Sequence, residues 1–482
     1  MLPLAAFRAP PLLLDNSFLL AGSATGHALP AAFRPTALDH LYGIDTAEGW
    51  HACLNAFQSA FNQSFNTLAR KKDLDDVQRI ATGYHDNGKP IDADLYRLYS
   101  ETLRKAVSLG GIDPDLRDQW LANVSRFAAY KAARATQQVA ETVIEHGGDL
   151  GSGIAPLRAH KRYLAAEANT ARTRARTGKQ WQQFNDDDHL RLFPNLRWVP
   201  SRSATPREAH QIFWNKVWAK DDPFWLHNQP GTLWNCKCDW EETDDPVTAG
   251  NPQKNIEVPG LKGNPATTGK IFSDDATYFT RCQNKETVEP IAQSIVEFER
   301  LQHTGDYKDM VFDWHNGAYK GVHKKHIDHS NPKEERYFDD KVTVTQLEKE
   351  CMDEVYRMGH RAILLEEGIK GADKKPICCL DLRLDGRIMD IRTITIGQAN
   401  NIRNGIWKKN SQLAIYNSLN DTKADSICLY FRYPDMFKDE LVREAIANFK
   451  QQSKPDGTSI TIHVKHVICV VKGYNQVIEY DI

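Results

Sequence analysis

No stretch of the 482 residues reaches the roughly 18 to 20 consecutive apolar residues that a membrane helix needs, so no membrane partner is expected. The opening run MLPLAAFRAPPLLLDNSFLLAGSA has the apolar look of a secretion signal. Arg8, the Pro10-Pro11 pair and Asp15 interrupt it, however, and no Lys/Arg cluster precedes it. A disulfide framework is missing as well. The nine cysteines are odd in number, scattered through apolar stretches such as Val467 to Val470, and suit a reducing compartment. The one close pair in polar surroundings is Cys236-Lys-Cys238. An excess of positive charge is also lacking, since 61 Lys and Arg face 63 Asp and Glu. That balance excludes a globally basic nucleic-acid coat but leaves room for a local basic groove. No internal repeat is present.

What is there has the hydrophobic and aromatic content of ordinary folded protein, 41% and 10%, over a length that suits two or three domains. From Ala47 to Arg176 the apolar period is helical. Trp50, Leu54, Phe57, Phe61, Phe65 and Leu68 form one stripe, and Leu116, Trp120, Val124, Phe127 and Tyr130 another. Residues 94–109 make a further helix, and Leu157 to Arg176, rich in Ala, Arg and Glu, reads as an exposed one. Residues 185–240 carry six tryptophans among prolines and turn residues, which reads as irregular structure pinned by aromatics. Residues 241–269 read as a linker or a long ordered loop, followed by a helix over 274–300.

Beyond it, strands are expected at 309–314, 362–365, 377–384, 386–396, 425–433, 466–471 and 476–480, with helices over 342–358, 398–418 and 436–451. The expected organisation is an extension (1–46), a mainly α-helical N-terminal domain (47–240), a linker and connecting helix (241–290), and an α+β C-terminal domain with a central antiparallel sheet (291–482).

The order Arg207, His210, Asp222-Pro-Phe-Trp225, Pro230, Cys236-x-Cys238 resembles the closing signature of Mu-type phage head-morphogenesis (minor head) proteins, with Cys-Lys-Cys where that family usually has Cys-Arg-Cys. The resemblance spans about residues 50–240 and is strongest from 190. It implies a helical head-protein domain, portal and capsid proteins as partners, and a place in the virion or procapsid. Independently of the family, Cys236, Cys238, His210 and His227 offer thiolate and imidazole ligands for a structural zinc. The competing reading is that they simply pack.

The C-terminal part has a different chemistry. Between Lys374 and Lys409 eight Lys/Arg face three Asp, and no acid occurs from Ile391 to Asn420. The cations alternate with Thr393, Thr395, Asn400, Asn401, Asn404, Gln412 and Trp407, a mixture suited to phosphate contact with nearby base stacking. The segment Leu380 to Asp390, then Asn401-x-Arg403-Asn404, Lys408-Lys409, Gln412 and the closing VKHVICVVKGYNQVIEYDI resemble the tRNA nuclease domains of contact-dependent growth inhibition toxins. Those belong to the barnase–EndoU–colicin–RelE-like ribonucleases.

This second resemblance implies a metal-independent endoribonuclease acting on tRNA or other structured RNA in a bacterial host cytoplasm, with a cognate immunity protein and no cofactor. Asp390, Arg392, Thr393, Arg403 and His323 are the catalytic candidates, with Arg387, Thr395, Asn404, Lys408, Lys409 and Gln412 as RNA contacts. His315, His323, His326 and His329 form a cluster whose ordinary pKa suits acid–base work or a metal.

Two rival readings stand beside it. In one, the C-terminal domain is a non-catalytic interaction module on a structural minor head protein. The other is a magnesium-dependent, restriction-like nuclease, which needs one carboxylate on a strand and Asp/Glu-x-Lys on the next. Asp381 and Asp390-x-Arg392 imitate that pattern, but Arg stands where Lys is expected and does not release a proton. An ADP-ribosyl transferase is disfavoured, because no Arg…Ser-Thr-Ser…Glu-x-Glu arrangement occurs.

Overall fold

The computed structural model describes residues 47–482 except 204–205, 207, 250–255, 327–336, 340–341, 368–378 and 452–459. Arg207, His329, Lys374, Lys375 and the 1–46 extension therefore lie outside the described residues. The chain divides into residues 1–72 and 73–482. The described part of the first is the opening of α1 (Ala47–His85), on which the Trp50-to-Leu68 stripe falls.

In the second unit, α2 (Ala93–Gly110), α3 (Arg117–Glu145), α4 (Ile154–Phe184) and α5 (Lys285–Thr304) share one apolar core. The Asp92 side chain starts α2 by accepting the Leu95 N–H, and Gly305 ends α5 with φ 72°. Trp120, Val124, Phe127 and Tyr130 of α3 are all fully buried, as their spacing predicts.

Helix α4 differs from the exposed helix expected of its composition. Arg158, Arg162 and Arg172 are exposed, but Glu167 and Arg174 are buried because each has a partner. Glu167 pairs with the fully buried Lys131 at 2.7 Å. Arg174 donates to the carbonyls of Ile271 (2.6 Å), Leu261 (2.8 Å) and Gly263 (2.9 Å). Those carbonyls belong to a Gly- and Pro-rich stretch that folds back on the helices, burying Leu261, Ala266, Ile271 and Phe272 in the same core.

The tryptophan-rich block contains a small antiparallel sheet ordered β2-β1-β3, from β1 (Asn195–Val199), β2 (Val217–Ala219) and β3 (Asp239–Thr243). These strands of three to five residues are too short to show a period in the sequence. Trp198, Trp218, Phe224, Trp225 and Trp240 bury themselves against it, and Trp218 stacks on Phe224 at 4.0 Å. The Asp-Pro-Phe-Trp motif has a local cause. The Asp222 carboxylate accepts the Phe224 N–H at 2.8 Å, and the turn turns both aromatic rings inward.

The C-terminal sheet has eight strands. They are β4 (Tyr307–Phe312), β5 (Tyr319–His323), β8 (Arg361–Leu364), β9 (Leu382–Leu384), β10 (Arg387–Thr393), β11 (Ser426–Phe431), β12 (His466–Val471) and β13 (Ile478–Asp481), with the short hairpin β6 (Tyr337–Asp339) and β7 (Val342–Thr343) set apart. The order is β13-β12-β11-β10-β9-β8-β5-β4.

The sheet is mixed and not the antiparallel one expected. Pairs β5–β8, β10–β11 and β11–β12 are parallel, because a helix lies between each pair in the chain. These are α6 (Val344–Arg357), α7 (Ala399–Asn420) and α8 (Asp439–Lys450). A crossover helix returns the chain to the same end of the sheet, which makes the next strand parallel. The β9–β10 hairpin turns at Asp385-Gly386, with φ 47° and 90°, the positive-φ pair of a tight two-residue turn. Helix α6 covers one face of the sheet and α7 with α8 the other.

Candidate metal centre and phosphate-binding face

Side chains alternate along β10. Met389 and Ile391 pack with α6, while Asp390 turns to the α7 side, where Lys409 Nζ donates to its Oδ1 at 2.5 Å. Arg392 points the same way as Asp390. Its stem lies over Gly405, where an added Cβ would stand 3.4 Å from Arg392 Cγ. Asp381, just ahead of β9, receives the Ile391 N–H on its Oδ2 at 2.8 Å and so lies beside Asp390. Asp390 is 1% exposed, and its second carboxylate oxygen has no hydrogen-bond partner.

Next to this pair stands a second group. His326, Glu348 of α6 and Glu367 bring ligand atoms within 4.8 Å of one another. The fully buried His326 uses Nδ1 against the Leu365 carbonyl at 2.7 Å, and a hydrogen bond there puts the ring proton on Nδ1. Nε2 then directs a lone pair at Glu348 Oε2, 3.3 Å away. Two lone pairs at that distance repel unless a proton or a cation lies between them.

The electrostatics follow from burial and crowding. Burial, with the charges of Glu348 and Glu367, pushes the Asp381 carboxyl up to about 7, against the hydrogen bond with Asp390 and the pull of Lys409. Asp390 is pushed well above the usual carboxylate range by burial and by Asp381. Burial lowers His326 to about 4, keeping it neutral. Asp381 thus links two acidic groups: Asp390 with Lys409 on the α7 face, and a recess formed by His326, Glu348 and Glu367, whose charges act on it. An oxygen-rich donor set with one imidazole fits a hard divalent cation. Nε2 of His326, buried without a hydrogen-bond donor, is an atom such an ion would satisfy.

Of the residues singled out from the sequence, Asp390, Arg392 and Lys409 come together on the α7 side of β10. Arg403 on α7 donates to Asn404 at 3.0 Å. Lys408, Asn404 and Thr395 are exposed, while Gln412 is half-buried on the same helix. Thr393 alternates to the face opposite Asp390. Arg387 does so too, and it pairs with Glu479 of β13. His323 sets its ring edge-on to Tyr307, with centroids 5.2 Å apart. His315 binds the Asn87 carbonyl at 2.9 Å.

His326 is the one described member of the histidine cluster that enters the recess. Glu348 and Glu367 were not among the candidates. The signal for Glu348 was a lone acid on the apolar face of α6, one residue after Leu347.

Two further groups offer metal ligands. His466, Glu479 and Asp481 lie on exposed strand ends, where Arg387 already engages Glu479. In the aromatic block, His210, Cys236 and Cys238 converge and are all buried. His227 stays apart, with Nδ1 3.2 Å from Glu257 Oε2. Hydrogen bonding from Cys238, with His210 adding to it, lowers the Cys236 thiol against burial, while that same hydrogen bond to Cys236, then burial, raises the Cys238 thiol. Among the described residues no helix is long and apolar enough to cross a membrane. Comparison with protein-family profiles, curated proteins and solved structures returns no match to this chain.

Proposed function

We propose that the C-terminal domain is a divalent-metal-dependent phosphodiesterase acting on nucleic acid, the restriction-like alternative, carried by an N-terminal region of the minor-head type. The observation that carries it is the contact of Lys409 with Asp390. The pattern Asp381…Asp390-x-Arg392 lacked its lysine, and α7 brings one to the second carboxylate at 2.5 Å.

His326, Glu348 and Glu367, whose ligand atoms lie within 4.8 Å of one another, are the residues that would hold the ion, with Asp381, which feels their charge, adjoining them. Bound there, it supplies an activated water and neutralises charge at phosphorus. Lys409 offsets charge beside Asp390 and is aimed to steady an attacking oxygen. Arg392 and Arg403, at the rim, engage phosphate oxygens as bidentate donors. Neutral His326 holds its proton on Nδ1, so Nε2 serves as a ligand and not as an acid. The metal-independent ribonuclease reading needs a free acid–base pair near Arg392. It is the less supported of the two, because Asp390 is committed to Lys409 and His323 packs on Tyr307.

The minor-head resemblance of residues 190–240 supports a virion or procapsid location with portal and capsid partners, and the toxin-nuclease resemblance of the C-terminal part supports a cognate immunity protein in the host. The test is cleavage of total tRNA and of supercoiled plasmid by the purified chain. Cleavage lost in EDTA, restored by Mg²⁺ or Mn²⁺, and abolished by Asp390→Asn and Lys409→Met is expected. Cleavage that survives EDTA would favour the metal-independent alternative. No cleavage by the wild-type chain in either assay would favour a non-catalytic module.

A further inference from the structure

The second proposal lies in the aromatic block and is independent of the C-terminal chemistry. The short helix Glu208–Gln211 presents His210, and the turn entering β3 presents Cys236 and Cys238. His210 Nδ1 stands 3.4 Å from Cys236 Sγ and 3.6 Å from Cys238 Sγ. The three residues are 2%, 6% and 2% exposed. Their ligand atoms all lie within 4.8 Å of one another.

The surroundings are arranged as a ligand set requires. His210 Nε2 faces Thr232 Oγ1 at 3.3 Å, so one ring nitrogen is engaged by an oxygen while the other is turned to the sulfurs. That division fixes the tautomer of a metal-bound imidazole. The Cys238 N–H donates to Cys236 Sγ at 3.4 Å, a contact that favours thiolate. The buried indole N–H groups of Trp198 and Trp214 face Cys238, where each favours the thiolate. Three soft and borderline donors in a closed apolar shell select a soft divalent ion over magnesium or calcium.

We propose that His210 Nδ1, Cys236 Sγ and Cys238 Sγ hold a structural zinc ion, tying the helix at 208–211 to the turn before β3. The ion would supply cohesion to a block whose strands are three to five residues long. It would take three of the four positions of a tetrahedral site from this chain.

The experiment uses the full chain, purified without chelator. Zinc is measured by mass spectrometry, then exchanged for Co²⁺ and followed by absorption. Cobalt bound by thiolates gives near-ultraviolet charge transfer that carboxylate and imidazole ligands do not, so the C-terminal recess cannot imitate it. About one equivalent of zinc is expected, with a charge-transfer band in the cobalt form that is lost in Cys236→Ser/Cys238→Ser. A cobalt form of the folded wild type without that band would overturn the proposal. So would a Cys236–Cys238 disulfide found by peptide mapping of the unreduced protein. If the double variant does not fold, the wild-type cobalt spectrum decides alone.

Discussion

Replacing Asp381 by Asn should make the metal-free protein more stable at pH 8, although it removes a residue of the proposed centre. The folded protein holds this carboxyl neutral up to about 7, whereas an unfolded Asp ionises near 4. Between those values the unfolded chain has released a proton that the folded chain retains. Unfolding is therefore favoured as pH rises through the window, and the loss is complete above 7. At about 1.4 kcal/mol per pH unit, three units give a ceiling of about 4 kcal/mol.

Asn carries no charge, keeps an oxygen to accept the Ile391 N–H, and offers an amide N–H to the neighbouring Asp390 carboxyl in place of the Asp381 hydrogen bond. The variant should lose the part of the pH dependence that Asp381 contributes, leaving that of the buried Asp390, and gain about 2 to 4 kcal/mol at pH 8 in EDTA. Divalent metal should act in the opposite direction. At a hundred times its dissociation constant it stabilises the wild type by about 2.7 kcal/mol, and it should stabilise Asp381→Asn less. Urea titrations read by hydrogen exchange of peptides spanning β9 and β10 follow this region separately from the helical core. A variant less stable than wild type at pH 8 in EDTA would refute the reasoning, since it would mean that the carboxylate is already compensated without metal.

Removing Arg392 or Arg403 should weaken nucleic-acid binding without altering metal affinity, and each change should reduce the slope of log affinity against log salt by about 0.7 to 0.9; filter binding across a salt series checks this. Lys131→Met leaves Glu167 buried without its cation and should cost about 3 to 5 kcal/mol in chemical denaturation, most of it recovered by adding Glu167→Gln. Arg174→Met orphans the carbonyls of Leu261, Gly263 and Ile271 and should cost about 3 kcal/mol or more, with early protease cutting in residues 256–270 as the readout.

The parts of the fold legible in the sequence were those with a long, one-sided period. Residues 116–130 announced the buried face of α3, and the strand–helix alternation after 340 located α6, α7, α8, β10, β11 and β12 to within a few residues. Two things were hidden. The direction of strand pairing was one, because β9 and β10 are joined by a visible Asp-Gly turn whereas β10 and β11 are joined through a helix. The destination of buried polar residues was the other. Arg174 and Glu167 look like surface charges until the stretch 261–271 and Lys131 are brought to them from far along the chain. The same blindness affected the site. Asp381 and Asp390 stood out as a pair, but Glu348, Glu367 and His326 are single residues on three separate elements.

The distance from Asp390 to its lysine has a geometric cause. A strand advances about 3.3 Å per residue, so Thr393, at the end of β10, is about 10 Å beyond Asp390. Helix α7 then runs back over the sheet, as a crossover between parallel neighbours must. At about 1.5 Å per residue, Lys409 is about 15 Å along it from Ala399, enough to undo that advance and part of the loop between. Gly405 lies one turn earlier, over Arg392, where the small residue leaves room for the guanidinium stem. The strand position two residues after Asp390 is therefore free to carry an arginine, while the buried ammonium arrives 19 residues later in the chain. A linear Asp-x-Lys search finds no lysine here because the cation that meets Asp390 comes from the helix that covers the strand.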